Sequence, residues 1–156
     1  MKARQISSDT ERTWALVFDT GDEVVSEIEA FAAREGLSAS RLSAIGAFQK
    51  ATLGYFDTQR RCYEHIPVEA QVEVLSLLGD IALDGQRPKL HAHCVLGRRD
   101  GSTVGGHLVE AVVRPTLEVL LIESPAHLRR CHDAATGLAL IRLDDADLPP
   151  AAAAAS

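Results

Sequence analysis

The stretch from Leu90 to Thr116, LHAHCVLGRRDGSTVGGHLVEAVVRPT, restricts the fold more than any other part of the chain. Two apolar runs flank Arg98-Arg99-Asp100-Gly101, and Asp-Gly between such runs is a strong β-hairpin signal, because glycine accepts the positive φ that tight turns need. A chain carrying this hairpin must supply neighbouring strands to cover it. Three of the six histidines fall inside it: His91, His93 and His107. Residues i and i+2 of a strand project from one face, so His91 and His93 point the same way, and the turn brings His107 back toward them.

Register decides whether His107 reaches the other two. With Asp100-Gly101 as a two-residue loop and an unbroken ladder, His93 faces Leu108 and His107 points to the opposite side. One extra residue at Gly105-Gly106 would turn it onto the face of His91 and His93, and paired glycines suit such a bulge. The motif then reads H-x-H, turn, G-G-H. Three imidazoles with a fourth position open is an arrangement that holds a zinc-like divalent metal for chemistry. A histidine in a strand is more often a surface or hydrogen-bonded residue than a ligand, and it is the third histidine behind a turn that weighs for the site.

The segments VEVLSLLGDIAL (Val72 to Leu83), LHAHCVL and GGHLVEAVVRPTLEVLLIE together resemble the plants-and-prokaryotes conserved (PPC) domain. That family runs as E-[IV]-L-S-L-x-G after an aromatic or aliphatic residue, then H-x-H, G-G-H-L and T-x-E-V. Ala44-Ile45-Gly46-Ala47 upstream, and Arg130 with Asp133 to Leu138 downstream, are also similar, so the resemblance spans about residues 10 to 143. It implies a homotrimer, and a fold related to that of acetolactate decarboxylase, whose zinc site the three histidines resemble. It also implies a name, since bacterial relatives of AT-hook plant proteins are called candidate DNA-binding proteins.

Composition weighs against that name. The chain has a net charge of −6, no R-G-R-P core and no basic arm, only scattered pairs such as Arg60-Arg61, Arg98-Arg99 and Arg129-Arg130. Affinity for DNA rests on neutralising phosphates, so DNA is not an expected partner of this chain alone. At 156 residues and 46% hydrophobic it suits one domain, residues 10–143, followed by an Ala/Pro-rich tail over 144–156 expected to be disordered. No signal peptide or membrane segment is evident, which points to the cytoplasm. Cys62, Cys94 and Cys131 lack C-x-x-C spacing and are expected as reduced thiols, with Cys94 facing away from the histidines.

Periodicity supplies the rest. Trp14 to Phe18 reads as a strand. Val24, Val25, Ile28, Phe31 and Ala32 lie at helical spacing, with Asp22 as N-cap and Gly36 as stop. Leu42 to Phe48 and Ala51 to Phe56 read as consecutive short strands. Arg60 to Val68 follows, then Gln71 to Leu83 broken at Gly79-Asp80, where Val72, Val74 and Ser76 alternate with Glu73, Leu75 and Leu77. Val112 to Ile122, interrupted by Pro115, is a bent strand or two. Ser124-Pro125 opens a short helical or turn segment through Arg130, and Leu138 to Leu143 closes the sheet. The fold class is α+β, a largely antiparallel sheet with one main amphipathic helix.

Glu73, Glu110 and Glu118 are the carboxylates able to support the histidines or bind a ligand beside them, while His65 and His132 have no patterned partners and read as surface residues. A small ligand at the open metal position would make the protein a sensor, or a metal-dependent lyase or hydrolase acting on a small carbonyl compound.

Overall fold

Val24, Ile28, Phe31 and Ala32 bury one stripe of the helix α1 (Val24–Glu35) against the sheet. Trp14 meets Phe31 edge to face with ring centroids 5.9 Å apart. The cap is Glu23 rather than Asp22: its carboxylate accepts from the backbone N–H groups of Ser26 at 2.7 Å and Val25 at 3.2 Å. Asp22 is spent elsewhere, accepting from the Asp19 N–H and pairing with the terminal amine at 2.6 Å. Gly36 ends the helix at φ 68°, and Leu37 donates back to the Ala32 carbonyl at 2.8 Å, closing the last turn.

The computed structural model describes residues 1–7, 11–124 and 128–142. Its strands are β1 (Lys2–Ser7), β2 (Thr13–Phe18), β3 (Ala39–Asp57), β4 (Cys62–Val68), β5 (Val72–Asp84), β6 (Arg87–Gly97), β7 (Thr103–Glu123), β8 (Arg129–His132) and β9 (Ala139–Arg142). All belong to one sheet, and among the described residues only the short β5–β8 pairing is parallel. β3 pairs β5, β5 pairs β6, β6 pairs β7, and β7 returns to β3, so four strands close a circuit around a core that includes Phe48, Leu53, Leu77 and Leu96. β1 is a strand that no pattern in the sequence announced. Among the described residues no helix is long and apolar enough to cross a membrane.

Several local expectations change. The two short strands over Leu42–Phe48 and Ala51–Phe56 are one, β3, which bends by shifting register against β7 instead of ending. β5 runs through Gly79-Asp80 unbroken. The glycine there answers close packing, since a Cβ on it would stand 2.7 Å from the His91 carbonyl oxygen. A register shift between Val74 and Ser76 reverses the alternation that follows, so Leu77 joins Val72 and Val74 in the core while Leu75 stays exposed. β7 continues through Pro115 as one strand. Arg129 and Arg130 lie on strand β8, not on a helical turn, and Pro125 to His127 fall outside the described residues, as does the tail over 144–156.

Candidate metal centre

The β6–β7 hairpin solves the register problem inside its turn. The Arg98 N–H donates to the Ser102 carbonyl at 2.8 Å and Gly101 N–H to the Arg98 carbonyl at 2.9 Å, with Gly101 at φ 82°. The loop is therefore Arg99-Asp100-Gly101, a type I turn followed by a left-handed glycine, and not the two-residue Asp-Gly loop expected. Asp100 braces it by accepting from the Ser102 N–H and hydroxyl. The extra residue sets His93 opposite His107, and the ladder from Thr103 to His107 is regular. The bulge expected at Gly105-Gly106 is absent because the turn has already made the shift.

Those two glycines serve close approach instead. A Cβ on Gly106 would lie 2.9 Å from the Gly54 carbonyl oxygen, and one on Gly105 would lie 3.0 Å from that of Cys94. Gly54, the β3 partner of His107, is bare for a similar reason, with the Tyr63 ring across it. That ring rests against His107 at 4.9 Å between centroids.

His91, His93 and His107 converge, each offering a ligand atom within 4.8 Å of the others. The Nε2 atoms of His91 and His93 are 3.3 Å apart. Two nitrogens bound tetrahedrally to zinc at about 2.0–2.1 Å stand about 3.3–3.4 Å from each other, so this pair already has the spacing a shared ion needs. His107 Nδ1 is buried without a hydrogen-bond partner among the described residues. The donor set fits a zinc-like divalent ion. Ala92 and Cys94 alternate into the core, where burial pushes the Cys94 thiol up to about 11 and keeps it protonated. All three cysteines are free thiols.

Burial and the neighbouring imidazoles lower the His107 pKa to about 4, and burial followed by the charge on His91 lowers that of His93. Neutral imidazoles are the form a metal binds. The same shift links stability to pH. A histidine near 6.5 when unfolded and about 4 when folded binds more protons in the unfolded state between those values. Metal-free protein should thus keep its full stability above about pH 6.5 and lose it steadily as the pH falls toward 4. Thermal melts in the presence of chelator test this, and a melting temperature that stays flat across the window would contradict it.

The three candidate glutamates are not in the cluster. Glu73 is exposed opposite Gly97, Glu110 accepts from the Thr52 hydroxyl at 2.9 Å, and Glu118 is exposed beside Val17 and Ile45. His65 and His132 are exposed on β4 and β8. The carboxylate beside the site is Asp80, opposite His91 on β5, with Oδ2 3.5 Å from His91 Nδ1. Its other oxygen accepts from the buried guanidinium of Arg130. Hydrogen bonds from His91 and Arg130 outweigh burial and hold the Asp80 carboxyl below its usual value. Asp80 read only as part of a break at Gly79-Asp80, and Arg130 as part of the family resemblance; nothing in the sequence joined the two, which lie fifty residues apart.

Two depressions lie on this surface, one of them lined by His93. A groove of about 330 Å³ is lined by His93 with Leu78, Val95 and Gly105-Gly106. A larger apolar depression of about 450 Å³ adjoins it through Leu78, lined also by Val17, Ile45, Leu75 and Leu120.

Comparison with known proteins identifies relatives of the same fold. The model of the Plants and Prokaryotes Conserved (PCC) domain matches residues 5–125. A metal-containing protein from Archaeoglobus fulgidus is 35% identical, with a TM-score of 0.79 over 84% of this chain and 93% of that one. A plant- and prokaryote-conserved protein from Pyrococcus horikoshii is 30% identical, with a TM-score of 0.80 over 88% of this chain and 98% of that one. A protein from Ralstonia eutropha named as a candidate DNA-binding protein is 25% identical, with a TM-score of 0.81 over 90% and 96%. At the level of fold alone, a Staphylococcus aureus protein of unknown function similar to α-acetolactate decarboxylase gives a TM-score of 0.50 at 12% identity over 71% of this chain and 52% of that one. No curated protein matches the chain.

Proposed function

This chain belongs to the Plants and Prokaryotes Conserved domain family, and from that premise we propose that it is a cytoplasmic, self-associating metal-binding protein. His91, His93 and His107 hold a zinc-like divalent ion and leave a position open for a small ligand. The observation that carries this reading is the 3.3 Å spacing of two imidazole nitrogens in a cluster completed by a third. The metal-containing name of the Archaeoglobus relative supports it. When bound, such an ion would polarise a carbonyl oxygen or lower the pKa of a water. Around it this chain's residues orient the His91 imidazole, through Asp80, and present Leu78 and Val95 in the groove beside His93. A sensor of a small polar ligand and a metal-dependent lyase or hydrolase acting on a small carbonyl compound both use this arrangement. An anomalous-scattering map of crystals grown without chelator tests the metal directly, and a site without anomalous density would remove the reading.

The outer face of the sheet supports self-association. Ile45, Leu75, Leu78 and Leu120 are each more than half exposed and share one depression. Contiguous apolar surface of this kind marks an interface, and the family resemblance implies three copies. Light scattering coupled to gel filtration should give a trimeric mass, and an Ile45→Asp, Leu120→Asp variant should give a smaller one. A monomeric wild type at micromolar concentration would remove the claim.

DNA binding is the competing reading, carried by the name of the Ralstonia relative. With a net charge of −6 and no basic arm, the chain should bind duplex DNA weakly and without sequence preference at physiological salt. Fluorescence anisotropy decides it: nanomolar, sequence-dependent binding would reverse the ranking.

A further inference from the structure

Arg130 sits on β8, outside the histidine cluster, yet it connects to that cluster through one carboxylate. Its side chain is 7% exposed. One guanidinium nitrogen, Nη2, donates to Asp80 Oδ1, Nη1 donates to the Ala139 carbonyl at 3.3 Å, and Nε has no partner among the described residues. A buried guanidinium needs a charged partner, and Asp80 is the partner it has. The second oxygen of Asp80 faces His91 Nδ1 at 3.5 Å. An ionised carboxylate accepts only, so this contact favours the tautomer with the proton on Nδ1. The lone pair is then on Nε2, the atom 3.3 Å from His93 Nε2.

The β8–β9 hairpin meets the rest of the sheet at its start, where the Leu128 N–H donates to the Ser38 carbonyl at 3.3 Å, and in its turn, where Arg61 Nη1 donates to the Ala134 carbonyl at 3.3 Å. β8 pairs with β5 only at Leu83 and Asp84, supplemented by the Leu83 N–H donating to the Leu128 carbonyl at 2.8 Å, and β9 pairs with β8. The Arg130–Asp80 contact is therefore a side-chain tether from that hairpin to the strand beside the histidines.

We propose that Asp80 is the positioning residue of the metal centre and that, through Arg130, docking of the β8–β9 hairpin and occupancy of the His91–His93–His107 site are coupled. This rests on the metal reading above. His91, His93 and His107 would hold the ion; with His91 Nε2 so engaged, its Nδ1–H would stay on Asp80, and Asp80 would hold Arg130 and the hairpin in place. By reciprocity, a docked hairpin raises the affinity for the ion by the same factor. Carboxylates behind metal-bound histidines are commonly worth ten- to a hundredfold in affinity.

The test uses the full chain, with zinc as the probe. Zinc affinity is measured by competition with a chromophoric chelator for wild type, Asp80→Asn, Arg130→Met and Arg130→Lys. Hydrogen exchange of the β8–β9 amides is followed with and without zinc, and the His91 tautomer is read from ¹⁵N chemical shifts in metal-free protein. Expected are a loss of about ten- to a hundredfold for Asp80→Asn and Arg130→Met, partial recovery in Arg130→Lys, and zinc-slowed hairpin exchange in wild type. The metal-free tautomer should be Nδ1–H in wild type and mixed in Asp80→Asn. Unchanged hairpin exchange on zinc binding to wild type, a measurement that needs no variant, would overturn the coupling, and wild-type affinity in both Asp80→Asn and Arg130→Met would overturn the positioning role. A wild type that takes up no zinc would sink the metal reading and the coupling with it, while the metal-free tautomer would still decide whether Asp80 positions His91.

Discussion

His107→Ala is expected to lower zinc affinity on the order of a thousandfold, with His91→Ala and His93→Ala close behind, if three imidazoles share a binding free energy of about 12 kcal/mol. Two imidazoles do not define a tetrahedral open site, so the loss should be a collapse rather than a graded decline. His65→Ala, exposed on β4 opposite Gly54, is the control and should leave affinity unchanged. Protons compete for the same lone pairs. Burial holds His93 and His107 below the ordinary imidazole value, His107 at about 4, so occupancy should persist to lower pH than the value of about 6.5 that free imidazoles would set. Metal content of the purified variants by elemental analysis is the measurement. Full occupancy in His107→Ala beside an empty His91→Ala would mean that the third ligand lies elsewhere.

Gly46→Ala should destabilise the protein by on the order of 3–5 kcal/mol, combining backbone strain with a clash that cannot relax. Gly46 has φ 149°, and a Cβ there would stand 2.4 Å from the Thr116 carbonyl oxygen and 2.8 Å from the Leu117 Cα. Both atoms are backbone of β7, held by the ladder that joins it to β3. Set against a typical stability of about 5–15 kcal/mol, the change should be plain in the urea midpoint. Gly85→Asn is the comparison: φ is 61°, a left-handed value asparagine tolerates, and nothing lies within 4 Å of a Cβ. Equal midpoints for the two variants would show that the close approach at Gly46 is not limiting.

Patterns within a few residues of each other were legible without coordinates. The spacing of Val24, Ile28, Phe31 and Ala32 defines the buried stripe of α1, and alternation puts His91 and His93 on one face with Cys94 on the other. Glu23 displaced Asp22 as the cap because both are short-range acceptors, and the terminal amine claims Asp22. β5 and β7 read as broken at Gly79-Asp80 and Pro115, and β3 at Gln49-Lys50, since residues poor in strand preference end a strand in isolation. Here neighbouring strands on both sides supply the hydrogen bonds that carry the chain through.

The sequence by itself determined the local period, the hairpin, the three histidines on it and the acidic balance. These depend on side-chain alternation, turn chemistry and charge, all of which act within a few residues or by simple sum. The tertiary structure decided how the histidines meet and what stands behind them. The register came from one extra residue in the turn at Gly101 rather than from Gly105-Gly106, and a one-residue difference there carries His107 from one face of the sheet to the other. Asp80 became the neighbour of His91 through cross-strand pairing, and Arg130 joined Asp80 because β8 returns to β5. Partners so far apart along the chain are chosen by the closure of the β3–β5–β6–β7 circuit, a packing condition satisfied by all four strands together and written in none of them alone.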